Sequence, residues 1–269
     1  MTVIFSDGFE TGDLTKWSGS TVTATCSVTG SDQTNPHHGV YNLKAYIAKN
    51  LGVGSCANVN YNVANMYQHL FVRAMNVRFD VLPEDSGDYH GIISFWQGVN
   101  ISALASFGPM NVAGTISWGI YRRTLGAFAT VVGTKTPVVN TNYCLEAEII
   151  RSTAGNADGA VRLYVDGVLE IEATGLDNDD RTLNYVIFGL YGADAPDLTD
   201  INVYGDCVVI SDAYIGPEVS GDVLRRNLMG VGLQAKQHDF EKLRPKMPSW
   251  NPKSWSSHFP KMFQKVIKI

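Results

Sequence analysis

Short apolar runs, each closed by a turn cluster, recur from the start of the chain to about residue 217. They fall at 20–28, 41–48, 70–81, 91–95, 114–121, 144–151, 160–165, 169–173, 185–191 and 207–210. No stretch with helical periodicity separates them, so the pattern predicts an all-β antiparallel sandwich and argues against a βαβ design. In Val77-Arg78-Phe79-Asp80-Val81 the apolar residues fall on one face and the charges on the other, as in a strand with one buried face. Val161-Arg162-Leu163-Tyr164-Val165 repeats that alternation, Asp166-Gly167 follows, and Val168-Leu169-Glu170-Ile171 resumes it. An Asp-Gly pair between two alternating runs predicts a two-residue hairpin. The runs at 91–97 and 185–191 are almost continuously apolar, which places them at the centre of the sandwich. No fixed repeat period exists, which removes solenoids and propellers.

After Gly216-Pro217 the pattern breaks. A short helix is expected to open at 223–228, but Gly230 and Gly232 interrupt it, and the run at 239–243 stops at Arg244-Pro245. Pro245, Pro248, Pro252 and Pro260 then exclude long regular structure. Trp250, Trp255, Phe259 and Phe263 are interleaved with lysines, a combination suited to docking on a partner. The expected organisation is therefore a β-sandwich body over 1–217 and an extended, basic assembly arm over 218–269.

Composition agrees with a packed body: 45% of the residues are hydrophobic and 17% charged. The net charge of −5 conceals an asymmetry, because residues 221–269 carry ten Lys/Arg against three Asp/Glu, a local +7, and the rest carries −12. A basic arm beside an acidic body points to docking on an acidic surface, that of a neighbouring copy included. Cys26, Cys56, Cys144 and Cys207 lie far apart without zinc-ligand spacing, so buried reduced thiols are expected, with a disulfide as the alternative. No run of about 18 apolar residues predicts a membrane span. The first residues carry neither the positive nor the apolar region of a secretory signal, so the expectation is synthesis in a cytoplasm.

Four motifs carry a family resemblance. They are FSDGFETGDLTKW at 5–17, PHHGVYNLK at 36–44, NYCLEAEI at 142–149 with GAVRLYVDG at 159–167, and GDCVVIS at 205–211. In order and spacing they resemble the concanavalin A-like lectin and glucanase superfamily, particularly the laminin G-like jelly rolls of bacteriophage proteins. The resemblance implies a jelly-roll sandwich over residues 5 to about 217. It also implies a structural calcium ion that joins the first and last strands through Asp7, the turn carbonyl of Gly39, and Asp206. Calcium takes six to eight oxygen ligands, which carboxylates, carbonyls and water supply. The alternative is that these two carboxylates cap turns.

Enzymes of this superfamily imply further chemistry. Glucanases need paired carboxylates on one strand face, about 5 to 5.5 Å apart for a retaining reaction. Glu146-Ala-Glu148 is the nearest match, and it reads instead as the solvated face of a strand. Alginate-lyase relatives need a cooperating His, Tyr, Gln and Arg; Tyr89-His90 and Gln97 lie near one another, yet the Gln-Ile-His motif is missing. His37-His38 reads as a solvated turn, with a metal pair as the sharper alternative. Trp96, Trp118, Tyr121 and Tyr191 are candidates for stacking on sugar rings, with core packing as the alternative. The expected function is a non-enzymatic virion component, a head decoration or fibre protein, that anchors through its arm and oligomerises. A polysaccharide hydrolase or lyase with a divergent site is the alternative, and a free carbohydrate-binding module is another. Nucleic acid is not an expected partner, since the acidic body repels phosphate.

Overall fold

The computed structural model describes residues 1–49, 51, 54–64, 67–98, 102–124, 127–193 and 199–218. The chain divides into one unit over Met1–Pro217 and a second over Glu218–Ile269. The expected helix at 223–228 and the arm residues Trp250, Trp255, Phe259 and Phe263 lie outside the described residues. Among the described residues of the first unit there are strands and no helix.

Those strands form two antiparallel sheets. One runs β13 (Val168–Leu176), β12 (Gly159–Val165), β11 (Tyr143–Ile150), β6 (His69–Phe79), β15 (Ile201–Ser211), β4 (Asn42–Ile47) and β3 (Ser27–Asp32), and β1 (Val3–Asp7) also pairs with β15. The other runs β10 (Ala127–Val132), β9 (Thr115–Thr124), β8 (Ala103–Val112), β7 (Gly91–Trp96), β14 (Tyr185–Ala193), β5 (Ser55–Asn62) and β2 (Gly19–Val22). The two most continuously apolar runs, β7 and β14, sit side by side in the middle of this seven-stranded sheet. β7 is buried along its whole length, which is why its sequence does not alternate.

Between the sheets lie Phe79, Phe95, Phe107, Trp118 and Phe188, all essentially inaccessible to solvent. Their rings meet edge to face: Phe95 and Phe107 at 5.8 Å and 85°, Phe79 and Trp118 at 5.8 Å and 73°. Each such side chain contributes roughly 1.5–3 kcal/mol by leaving water. Gly205 on β15 faces Phe188 on β14 so closely that a Cβ there would collide with the ring. The hairpin between β12 and β13 turns on Asp166 (φ 53°) and Gly167 (φ 78°), both in the left-handed region that the tight turn requires.

Two bulges bend the eight-stranded sheet. Asn76 in β6 (φ 49°) and Cys207 in β15 (φ 47°) lie where the pairing registers shift. The apolar run expected over 20–28 is corrected: it is two strands, β2 and β3, one in each sheet. The chain crosses between sheets at Thr23–Cys26, where Thr25 takes φ 66° and Cys26 N–H donates to Thr23 O.

Candidate functional site

Alternation along the central strands sends every second side chain of the seven-stranded sheet away from the core. Phe95 points inward, so Trp96 faces out, and Tyr191 of β14, Tyr121 of β9 and Phe128 of β10 share that outer face. With Tyr89, from the turn before β7, they line a cleft of about 640 Å³. Three of the four sugar-stacking candidates, Trp96, Tyr121 and Tyr191, thus meet in one place. The fourth, Trp118, is corrected: it packs between the sheets against Phe79 and Tyr143, because position 118 is inward-facing on β9.

The rings form two groups. Trp96 meets Tyr191 edge to face at 4.4 Å and 73°. Tyr89, Tyr121 and Phe128 form a continuous stack, 5.4 Å and 18° for the first pair, 4.7 Å and 14° for the second. Tyr89 is held there by its own turn. Asn111 N–H donates to Asp88 O at 2.9 Å, Gly87 N–H donates to Asn111 O at 2.8 Å, and Asn111 Nδ2 donates to Glu84 O at 2.7 Å. Position 192 must be glycine, since a Cβ there would overlap the Tyr89 hydroxyl and φ is 65°.

Burial sets the protonation of these phenols. It pushes the Tyr89 pKa well above the ordinary tyrosine value, with Tyr191 and Tyr121 adding to the effect. Burial likewise pushes Tyr191 up to about 12, reinforced by Cys56 and Tyr121. Both hydroxyls therefore remain proton donors at neutral pH. Trp96 is 3% exposed, and its Nε1 is buried without a hydrogen-bond partner.

Arg123 lies two residues beyond Tyr121 and on the same face of β9. Its Nε donates to Asp180 Oδ2 at 2.8 Å, its Nη1 donates to Ser102 Oγ at 3.4 Å, and its Cζ lies 5.5 Å from the Phe128 ring centre. Ser102 also lines the cleft, so a fixed guanidinium stands at that end. Asp88 is the one carboxylate among the described lining residues, and burial raises its pKa. Arg123, Tyr89 and Phe128 were not assigned as site residues from sequence. The period of two carried the signal for Arg123, which shares the face of its neighbour Tyr121.

The remaining candidates lie elsewhere. Glu146 and Glu148 are not solvated: they are 2% and 3% exposed on β11. Glu146 accepts the backbone N–H groups of Ile215 and Gly216, and Glu148 accepts from Arg162, His69 and Tyr164. A strand residue is buried on its outer face when another segment covers it, and the chain over 215–216 does so here. His90 is fully buried, while Gln97 Oε1 accepts from Arg181 Nη1.

Asp7 and Asp206 sit on the paired strands β1 and β15, with Asp7 opposite Val208 and Asp206 beside Gly8. Asp7 Oδ1 accepts from Phe9 N–H and Lys16 Nζ, and Oδ2 accepts from Trp17 Nε1. Asp206 Oδ2 accepts from the N–H groups of His37 and His38, and Oδ1 from that of Cys207. The turn at Gly39 (φ 68°) wraps the Glu10 carboxylate, which accepts from Val40 N–H. Each of these carboxylate oxygens faces an N–H or ammonium donor, as the turn-capping alternative to the calcium site requires.

No protein-family model matches the chain, and no curated protein matches it in sequence. Solved structures do match in fold. A crystal structure of endo-β-1,4-glucuronan lyase from the fungus Trichoderma reesei aligns with TM-score 0.59 and 15% identity, over 79% of this chain and 96% of that one. The cellulose-induced protein Cip1 aligns with TM-score 0.55 and 20% identity, over 80% of this chain and all of that one. A marine alginate lyase from Aplysia kurodai aligns with TM-score 0.52 and 13% identity, over 79% of this chain and all of that one. The jelly-roll β-sandwich is the fold of the unit over Met1–Pro217. That polysaccharide lyases share it over most of the body corrects the expectation of a non-enzymatic head-decoration or fibre protein, and nothing in these likenesses supports the phage connection.

Proposed function

We propose that this protein is a polysaccharide lyase that cleaves a uronate-containing glycan by β-elimination in the aromatic cleft of the seven-stranded sheet. The observation that carries this reading is the convergence of Tyr89, Tyr121 and Tyr191 on a single cleft, whose lining residue Ser102 accepts from the Arg123 guanidinium. Flat rings stack on sugar faces, while phenol and indole groups meet hydroxyls. The glucuronan and alginate lyases that share the fold support the choice of an acidic glycan.

Elimination needs no water and no carboxylate pair. A base removes the proton at C5 of the uronate, the electron pair forms the C4–C5 double bond, the C4–O bond breaks, and the departing oxygen takes a proton. Arg123 pairs with the uronate carboxylate and stabilises the charge that develops beside C5. Tyr121, on the same face, is the residue placed to take the C5 proton. Tyr191 and Tyr89, held protonated by burial, donate toward the leaving oxygen. Hydrolysis by two carboxylates is disfavoured, because Asp88 stands alone among the described lining residues.

The test is to incubate the full chain with polyglucuronate, alginate and a neutral β-glucan and to follow the ultraviolet absorbance of the unsaturated uronate product. Absorbance should grow on a uronate polymer and vanish in Tyr121→Phe and Arg123→Gln. New reducing ends from the neutral glucan alone, without that absorbance, would sink the reading.

A further inference from the structure

The outer face of the eight-stranded sheet, opposite the cleft, carries a second unusual grouping. Lys44 on β4, Tyr204 on β15 and Arg78 on β6 are direct cross-strand neighbours, since Tyr204 registers with Lys44 on one side and Arg78 on the other. Lys44 Nζ lies 5.6 Å and Arg78 Cζ 4.7 Å from the Tyr204 ring centre. The ring is only 7% exposed although it sits on an outer face, because the two long side chains cover it.

Neither cation has an ion-pair partner among the described residues, and Arg78 Nε is buried without a hydrogen-bond partner. Asp80, two residues along from Arg78, is committed elsewhere. Its oxygens accept from Asn202 N–H at 2.7 Å and Asn202 Nδ2 at 2.6 Å. Asp206, two residues along from Tyr204, is likewise held by backbone N–H groups. Two cations on strands about 10 Å apart, with the local carboxylates occupied, repel one another until an anion joins them. The body outside residues 221–269 carries −12, so its acidic surplus has not been used here.

We infer that Lys44 and Arg78, with Tyr204 between them, form an anion-binding site that takes carboxylates along an acidic polysaccharide chain, on the face away from the cleft. It shares with the proposed lyase activity only the class of polymer. The site would hold a long glycan on the protein without taking part in cleavage.

Native-gel affinity electrophoresis tests this on the full chain in the Tyr121→Phe background, where polymer in the gel should stay intact. Polyglucuronate should retard the protein, and a neutral hydroxyethyl cellulose should not. The pair Lys44→Gln with Arg78→Gln should weaken retardation about tenfold, at an unchanged melting temperature and with unchanged turnover of short oligomers in the Tyr121-bearing protein. The charge-keeping pair Lys44→Arg with Arg78→Lys should retain most of it. Unchanged retardation in the Gln pair overturns the inference, as does equal loss in both pairs, which would mark simple packing. If no uronate polymer is cleaved yet the Gln pair loses retention, the lyase reading falls and this site stands.

Discussion

Tyr89 lies flat against Tyr121, with ring centres 5.4 Å apart and planes 18° apart, and Phe128 extends the stack on the far side of Tyr121. The Tyr121 ring is therefore fixed on both faces, while the residue lines the cleft. Tyr121→Phe keeps the stack and removes only the oxygen. It should lower kcat on a uronate polymer roughly 10²- to 10⁴-fold with little change in KM. Tyr121→Ala should lower kcat and raise KM as well, because the wall of the cleft collapses. Steady-state kinetics on both variants separates the two effects; a large KM change in Tyr121→Phe would place the hydroxyl in binding.

The same burial gives the protein an alkaline limit. Tyr191 is pushed up to about 12, Tyr89 higher, and on the other face burial and Glu148 push Tyr164 to about 12. In the unfolded chain these phenols ionise near about 10. The folded state thus holds protons that the unfolded state releases, so stability is fully present below about pH 10 and is lost as pH rises toward about 12. Tyr191→Phe should move the midpoint of alkaline unfolding, followed by circular dichroism, to higher pH. An unmoved midpoint would show that Tyr191 ionises without unfolding cost.

Much of the sandwich was legible because its strands alternate. β6, β7, β11, β12 and β14 and the Asp166-Gly167 turn all stand within a residue or two of where the apolar pattern put them. The strands left unread break that pattern for identifiable reasons. In β5, Asn58, Asn60 and Asn62 project from the outer face and mimic a turn-forming cluster. In β8, Gly108 and Pro109 interrupt the run. Pro109 is tolerated at a position that pairs with Trp118 on one side, where His90 N–H donates to its carbonyl on the other. The cleft was legible only as a list of aromatic residues. Face assignment needs the register, and the register separates Trp118 from Trp96.

Glu146 shows how an outer strand position becomes structural. Its two oxygens accept Ile215 N–H at 2.7 Å and Gly216 N–H at 2.8 Å, and Arg73 Nη1 donates to Gly216 O at 3.0 Å. Glu146→Ala leaves one buried and one half-buried backbone donor without acceptors and should cost roughly 2 kcal/mol. Urea titration should show a lower midpoint with an unchanged slope. Full stability in this variant would mean that the chain over 215–216 finds other partners.

Closure of the first strand on the last depends on Asp7. The carboxylate is 2% exposed and gathers Phe9 N–H at 3.0 Å, Lys16 Nζ at 3.0 Å and Trp17 Nε1 at 2.9 Å. Through Trp17 it fixes an aromatic corner, in which Trp17 meets Phe5 at 4.7 Å and stacks parallel to Phe9 at 6.2 Å. The ammonium of Lys16 stands on an oxygen that a structural calcium ion would need, so chelation with EDTA should leave the melting temperature unchanged. Asp7→Ala removes the acceptor of three donors and should cost about 3 kcal/mol, a fall of roughly 6–12 °C for a domain of this size. Lys16→Met should cost less, about 1 kcal/mol or below, because the lysine side chain is 45% exposed and its pairing is screened by water. The order Asp7→Ala far below Lys16→Met, with no response to chelation, is what a hydrogen-bonded corner requires. A melting temperature that falls on chelation, and no longer does so in Asp7→Ala, would restore the metal.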